Sequence, residues 1–385
     1  MPLAPRAANR TLTMDALPLL FDGGISNYVK PLFRHVFQEA GSGWTVRLLF
    51  RLSVDPSRHQ RYRTFRPVEG PSTVSPVVTC VPDRVLRSLW GCLGYPPFSM
   101  SRRRKNAFIA TTDMVPRRGR DRIGWIVYDL TPLRIPDFFN FDRKRFHEKT
   151  MDWARRTDFI VTISENSKKD IAELLHYPED RIHIIYPGVT EPPSLPAATP
   201  PPAGPRPYIY YIGSLALNKN IDGMLRIFSE CVNRHGLDID IYLTGRDFLG
   251  PGFWESLIKD LNIEGRVHFT GWIPDDERNA YLSHATMLWQ FSWYEGFGLP
   301  VLEAASRGIP VLYANRGSLP EIINDPEQEM DPERESEAAD KAAAALTSPS
   351  ILTRWKQRGL QRSASFSWSR SARKLLDDIE TYVGE

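Results

Sequence analysis

Residues Tyr294 to Ala304 read YEGFGLPVLEA, two glutamates, Glu295 and Glu303, set eight positions apart around Gly296 and Gly298. Pro300 suits the first position of a helix, where a missing N–H costs nothing, and Gly308 suits the stop after VLEAASR. Glu295 is therefore expected before a helix and Glu303 on about its first turn. The two glycines let the backbone approach a ligand closely, and the N-terminal end of a helix favours an anion such as phosphate. Carboxylates on either side of an anion site suit hydroxyl groups, so the pattern fits a phosphate carried between two polyols, as in a nucleotide sugar. The plainer alternative is an ordinary helix start with Glu303 as a solvated carboxylate.

Around this stretch the second half of the chain alternates strand-like and helical runs. YIYYIGS, DIDIYLTG, RVHFTG, MLWQFS and IPVLY read as strands, and Ile221, Met224, Leu225, Phe228 and Val232 recur at helical spacing after the first of them. Continuous apolar strands separated by helices predict a parallel sheet covered on both faces. Ligands of such sheets bind beyond the carboxyl ends of the strands. Gly213 and Ser214, Gly245 and Arg246, Gly271 and Trp272, and Glu295 to Gly298 all fall at those ends.

The first half shows the same alternation in WTVRLLFRLS, VSPVVTCV, AFIATTD, IGWIVYDL, FIVTIS and RIHIIYP. Between the halves lies PPSLPAATPPPAGPRP, in which eight of sixteen residues are proline, a composition that favours an extended linker over a packed core. The expected organisation is a first domain over 1–191, a linker over 192–207 and a second domain over 208–385, with the last helix free to return to the first domain.

At 385 residues, 42% hydrophobic and 25% charged, the composition is that of a globular protein of two domains. Cys80, Cys92 and Cys231 form no CxxC pair and are too few for a disulfide framework, which fits a reducing cytoplasm. Asp15 and Pro18 interrupt TLTMDALPLLF, and no apolar run reaches the roughly 18 residues of a membrane span, so any membrane role is expected to be peripheral. Residues 1–193 hold 30 Lys and Arg against 20 Asp and Glu, whereas 194–385 hold 19 against 26. The basic run from Arg102 to Arg122 is either a solvated loop or a face for anionic lipid at the inner side of the plasma membrane. Nucleic acid is not expected, since no reader motif accompanies the charge. No metal is expected either: the histidines show no HExxH-like spacing, and Asp238 and Asp240 of LDIDIYL stand at a strand entrance, away from the ligand edge.

YEGFGLPVLEAASRGIPVL resembles the E-x7-E segment of family 4 of the glycosyltransferases, retaining nucleotide-sugar enzymes of the GT-B fold. The similarity extends through YIGSLALNKNIDGMLRIF, RVHFTGWIPDDERNAYL and RGSLPEII, and through YDLTPLRIPDFF, DFIVTISENSKKDI, IIYPGV and GGISNYV in the first half. The resemblance implies an α/β fold of two doubly wound Rossmann-like domains facing across a cleft. It implies that Glu295 holds hydroxyls of the transferred sugar, Glu303 the ribose hydroxyls, and the backbone from Gly296 through Phe297 and Gly298 to Leu299 the sugar and diphosphate. Lys219 would neutralise the leaving diphosphate, Gly213, Ser214, Asn218 and Gly245 would line the donor edge, and the loop of Trp272 and Ile273 would meet the base. Gly23, Gly24, Ile25, Asn27, Tyr128 and Asp129 would line the acceptor side.

The chain departs from the family at two points. Relatives often carry an arginine partnered with the lysine, either just after the strand-end glycine or directly before the lysine, where this chain has Ser214 and Asn218, and Arg246 at the neighbouring strand end is the candidate replacement. Relatives also often have histidine where Tyr128 stands. The resemblance implies front-face attack without a cofactor or metal, and the segment together with SLPE is most similar to bacterial mannosyltransferases. That points to GDP-mannose as donor and a growing glycan or lipid-linked glycan as acceptor. The competing readings are a nucleotide-sugar-binding protein that has lost turnover and an NAD-dependent dehydrogenase. The second lacks any G-x-G-x-x-G after a strand.

Overall fold

The computed structural model describes residues 10–21, 23–51, 56–64, 73–79, 85, 106–116, 119, 121–190 and 204–384. The linker up to residue 203, Cys80, Cys92 and the basic residues Arg102 to Lys105 lie outside the described residues. The chain divides into two compact units, one of Met1–Arg134, Phe141–Gly188 and Ser367–Glu385, the other of Ile135–Asn140 and Val189–Phe366. The last helix, Trp368–Val383, which the sequence reading left free to return to the first domain, belongs to the first unit. Its buried residues Trp368, Ala372, Leu375, Leu376, Ile379 and Val383 recur at helical spacing and make one apolar stripe. That stripe packs on helix Gly24–Glu39, where the Tyr28 and Trp368 rings meet edge to face at 5.5 Å and Arg373 pairs with Glu39 at 2.8 Å.

The first unit holds a seven-stranded sheet of order β3-β2-β1-β4-β5-β6-β7, all parallel. Its strands are β1 Arg10–Asp15, β2 Trp44–Arg51, β3 Thr73–Thr79, β4 Asn106–Ala110, β5 Arg122–Ile126, β6 Phe159–Thr162 and β7 Ile182–Ile184. The sequence reading found six of these and passed over β1, which the fold places in the middle of the sheet. Asp15, which breaks the apolar run on paper, is buried and paired at 3.0 Å with the equally buried Arg51 at the end of β2. Thr112 donates to the same carboxylate at 3.0 Å.

The second unit holds a six-stranded parallel sheet of order β10-β9-β8-β11-β12-β13. Its strands are β8 Tyr208–Ile212, β9 Asp240–Thr244, β10 Val267–Gly271, β11 Met287–Gln290, β12 Val311–Ala314 and β13 Glu329–Met330. Every residue of β8, β9, β11 and β12 is buried, the pattern expected when helices cover both faces. In each sheet the strand order reverses beside the first strand, between β1 and β4 and between β8 and β11. A crevice opens at such a reversal, and in doubly wound sheets that is where ligands bind.

Candidate active site

The loops that leave β8 and β11 flank the reversal in the second unit, and the structure ties them together. After β8 the chain turns through Leu217–Lys219, and after β11 it runs through Ser292 to Glu295. Trp293 N–H donates to Asn218 O at 3.1 Å, and Lys219 Nζ lies 2.8 Å from Glu295 Oε1. Gln290 Nε2 and Ser292 Oγ donate to that same oxygen at 3.0 and 2.7 Å. Below them Tyr211 is buried at the end of β8, and burial, reinforced by the Glu295 charge, pushes its phenol well above the ordinary value.

Glu295 also has its backbone fixed. Ser318 N–H and Oγ donate to Glu295 O at 3.2 and 3.0 Å, and the hydroxyl reaches Phe297 O at 2.8 Å. The Phe297 side chain faces the core against Phe366, so only its backbone is available to the site. Gly298 caps the following helix at φ 102°, and a Cβ there would stand 2.6 Å from Leu319, which is why the position is glycine. The helix runs from Leu299 to Ser306, one residue earlier than expected, so Pro300 is its second residue and Glu303 lies just past the first turn. Glu303 does not meet Glu295 or Lys219: its Oε2 is held at 3.0 Å by Arg278, from helix Asp275–His284. Arg307 donates to Glu303 O at 2.9 Å, and burial lowers the pKa of its guanidinium.

The remaining donor-edge residues line up along the strand ends. Gly245 packs so tightly on Gly213 that a Cβ at 245 would stand 1.8 Å from Gly213 O, and its N–H donates to Gly271 O at 2.9 Å. Leu215 N–H donates to Arg246 O at 2.9 Å, so Arg246 starts beside the loop that carries Lys219. Its exposed guanidinium stacks over Phe248 at 5.2 Å. Ser214 O accepts from Tyr211, Trp272 is 77% exposed, and Ile273 beside it is half-buried. Asp238 and Asp240 are occupied by Arg206 and Arg266, with His268 also on Asp240 at 3.2 Å. Among the described residues no group of three or more metal-ligating side chains is assembled.

In the first unit Gly23 caps helix Gly24–Glu39, leaving Gly24, Ile25 and Asn27 exposed on its first turn. Tyr128 is half-buried, and its hydroxyl donates to Thr111 O at 3.1 Å. Burial, then the charges of Tyr28 and Asp15, hold that phenol well above its usual range. Asp129 accepts from Thr131 N–H at 2.9 Å and serves the local turn. Sequence reasoning missed Gln290, Ser292 and Arg278. The first two had a signal, polar residues closing the otherwise apolar run MLWQFS; Arg278 sits in a charged helix with none.

Two all-parallel α/β sheets of this order, with the glycine-capped helix after β11, define the GT-B class of glycosyltransferase folds. HepE of Anabaena, solved in complex with UDP and glucose, superposes with a TM-score of 0.67 at 13% identity over 97% of this chain and 99% of that one. Residues 198–362 match the family described as Glycosyl transferases group 1. The O-antigen chain mannosyltransferase B of Escherichia coli is 28% identical over 259 residues, 65% of this chain and 68% of that protein. The serotype-specific mannosyltransferase WbdA of Escherichia coli is 24% identical over 275 residues, 67% of this chain but only 34% of that longer protein. The resemblance to GT-B mannosyltransferases of bacteria thus extends well beyond the E-x7-E segment.

Proposed function

We propose that this glycosyltransferase moves mannose from GDP-mannose, with retention and without a metal, to a hydroxyl of a glycan or lipid-linked glycan in bacterial surface polysaccharide synthesis. The observation that carries the reading is the meeting of Lys219, Glu295 and the helix capped by Gly298 at the β8–β11 reversal. A cation and a helix N-terminus there suit a departing diphosphate. The carboxylate beside them suits the hydroxyls of the sugar being transferred. Mannose is favoured by the names of the bacterial relatives, and a nucleotide donor by the UDP and glucose held by HepE.

In this reading the acceptor oxygen bonds to the anomeric carbon as the bond to the diphosphate breaks, on the same face of the sugar. The acceptor proton leaves to a phosphate oxygen of the departing group. Lys219 and the helix end bear the charge that develops, and no side chain forms a covalent intermediate. Glu295 is committed to three donors and serves orientation. Work at the cytoplasmic face of the membrane is part of the proposal, and among the described residues no helix is long and apolar enough to cross a membrane.

A thermal-shift panel of GDP, UDP, ADP and dTDP with their sugars tests the donor, because a ligand that binds the folded state alone raises apparent stability. GDP and GDP-mannose should give the largest shifts, and GDP-mannose should be consumed with transfer to a mannose-bearing acceptor. A larger shift with another base replaces the donor assignment. Binding without transfer or hydrolysis of any donor points instead to a protein that has lost turnover.

A further inference from the structure

Glu295 is held unevenly. Three donors converge on Oε1: Lys219 Nζ at 2.8 Å, Gln290 Nε2 at 3.0 Å and Ser292 Oγ at 2.7 Å. Among the described residues Oε2 takes no hydrogen bond, and it is the oxygen left to face a ligand. Gln290 and Ser292 are themselves buried, at 2% and 0% exposure, and are joined to each other by Gln290 Nε2 donating to Ser292 Oγ at 3.0 Å. The carbonyl oxygen of the Gln290 amide is buried without a partner. Leaving such an acceptor unsatisfied is costly. Gln290 therefore keeps its orientation at the expense of its own oxygen, to the benefit of Glu295.

We infer that Gln290 and Ser292 are positioning residues that fix the Glu295 carboxylate independently of Lys219. The inference rests on the proposed transfer reaction. When a diphosphate arrives, the lysine is drawn toward the phosphate charge, and a carboxylate held by the lysine alone would lose its anchor as the sugar needs it. The amide and the hydroxyl carry no charge and lie at the end of β11 beneath the site, so the incoming diphosphate does not compete for them. They hold Oε1 while Oε2 stays directed at the sugar. Misplacement of a positioning group by about 1 Å is enough to slow a reaction on the order of a hundredfold.

The test uses the full chain and the variants Gln290→Leu, Ser292→Ala and Ser292→Thr. GDP binding is measured by calorimetry, and initial rates are taken with GDP-mannose and with a deoxy-mannose analogue lacking a hydroxyl whose loss slows the parent. Gln290→Leu and Ser292→Ala should each lower kcat by about tenfold or more while GDP affinity stays within about twofold, and Ser292→Thr should restore most of the rate. The rate difference between GDP-mannose and the deoxy donor should shrink in both impaired variants, because the hydroxyl is no longer well met. A general weakening of the fold would lower GDP affinity too and leave the deoxy penalty unchanged, which overturns the inference, as does parent-like kcat in both variants. Failure of the parent to transfer sugar from any nucleotide donor strikes the functional reading instead, a result separate from any of these.

Discussion

Lys219 Nζ and Glu295 Oε1 are 2.8 Å apart although 76 positions separate them in the chain, and their pairing joins the loops of β8 and β11. The lysine proposed for the diphosphate and the carboxylate proposed for the sugar are thus each other's ion-pair partners. Removing Glu295 has two consequences. The transferred sugar loses its orienting group, while Lys219 loses the anion that competes with phosphate for it. Glu295→Ala is expected to lower kcat about a hundredfold and to leave GDP affinity equal or tighter. Initial rates and calorimetry check both halves. A parent-like rate, or GDP binding tenfold weaker, contradicts the assignment.

Glu303 has a different partner and should fail differently. Proposed for the ribose, it makes contacts shared by bound donor and transition state, so Glu303→Ala should raise the donor KM and weaken free GDP with a smaller change in kcat. Arg278 holds Glu303 Oε2 at 3.0 Å without lying on the glycine loop. Arg278→Met should weaken GDP in the same direction by a smaller factor, through lost orientation of the carboxylate. Titration of GDP into the two variants gives the order, and a larger loss in Arg278→Met would mean that the arginine itself meets the nucleotide.

Much of this architecture was legible in the sequence because fully buried parallel strands write themselves as apolar runs. YIYYI and MLWQ became β8 and β11, and the glycines marked the turns at their ends. β1 was passed over because Asp15 breaks its run, and the pairing with Arg51 that makes burial tolerable depends on a residue 36 positions away. The same limit hid Arg278, whose relation to Glu303 exists only once two helices lie side by side. Glu295 could be singled out from its place before the helix. Its sharing of one oxygen among Lys219, Gln290 and Ser292 could not, since hydrogen-bond geometry has no sequence period.

Metal independence is part of the proposal and rests on its division of charge. With Lys219, the helix end after Gly298 and the neighbouring Arg246 available to the diphosphate, the proposed reaction calls on no divalent ion to offset its departure. Transfer rates should be unchanged in excess EDTA. A rate lost on chelation and restored by magnesium or manganese would require ligands beyond those proposed here, and Asp238 and Asp240 are already engaged by arginines.

Arg246 is proposed to supply the second phosphate cation that Ser214 and Asn218 do not. Three features bear on this. Its backbone is fastened to the β8 loop through Leu215, its guanidinium is exposed, and among the described residues no carboxylate pairs with it. Stacking over Phe248 at 5.2 Å restrains the side chain without neutralising it. A charge-assisted contact contributes about 1.5 to 3 kcal/mol, so Arg246→Ala should weaken GDP about tenfold or more. The loss should shrink as salt rises, since the guanidinium is exposed to screening. Phe248→Ala should cost less, because it removes the restraint and keeps the charge, and Arg246→Lys should fall between. Calorimetry with GDP at low and high salt separates these outcomes. If Arg246→Ala binds GDP as the parent does and transfers at the parent rate, the diphosphate is met by Lys219 and the helix end alone, and the missing family arginine has no substitute in this chain.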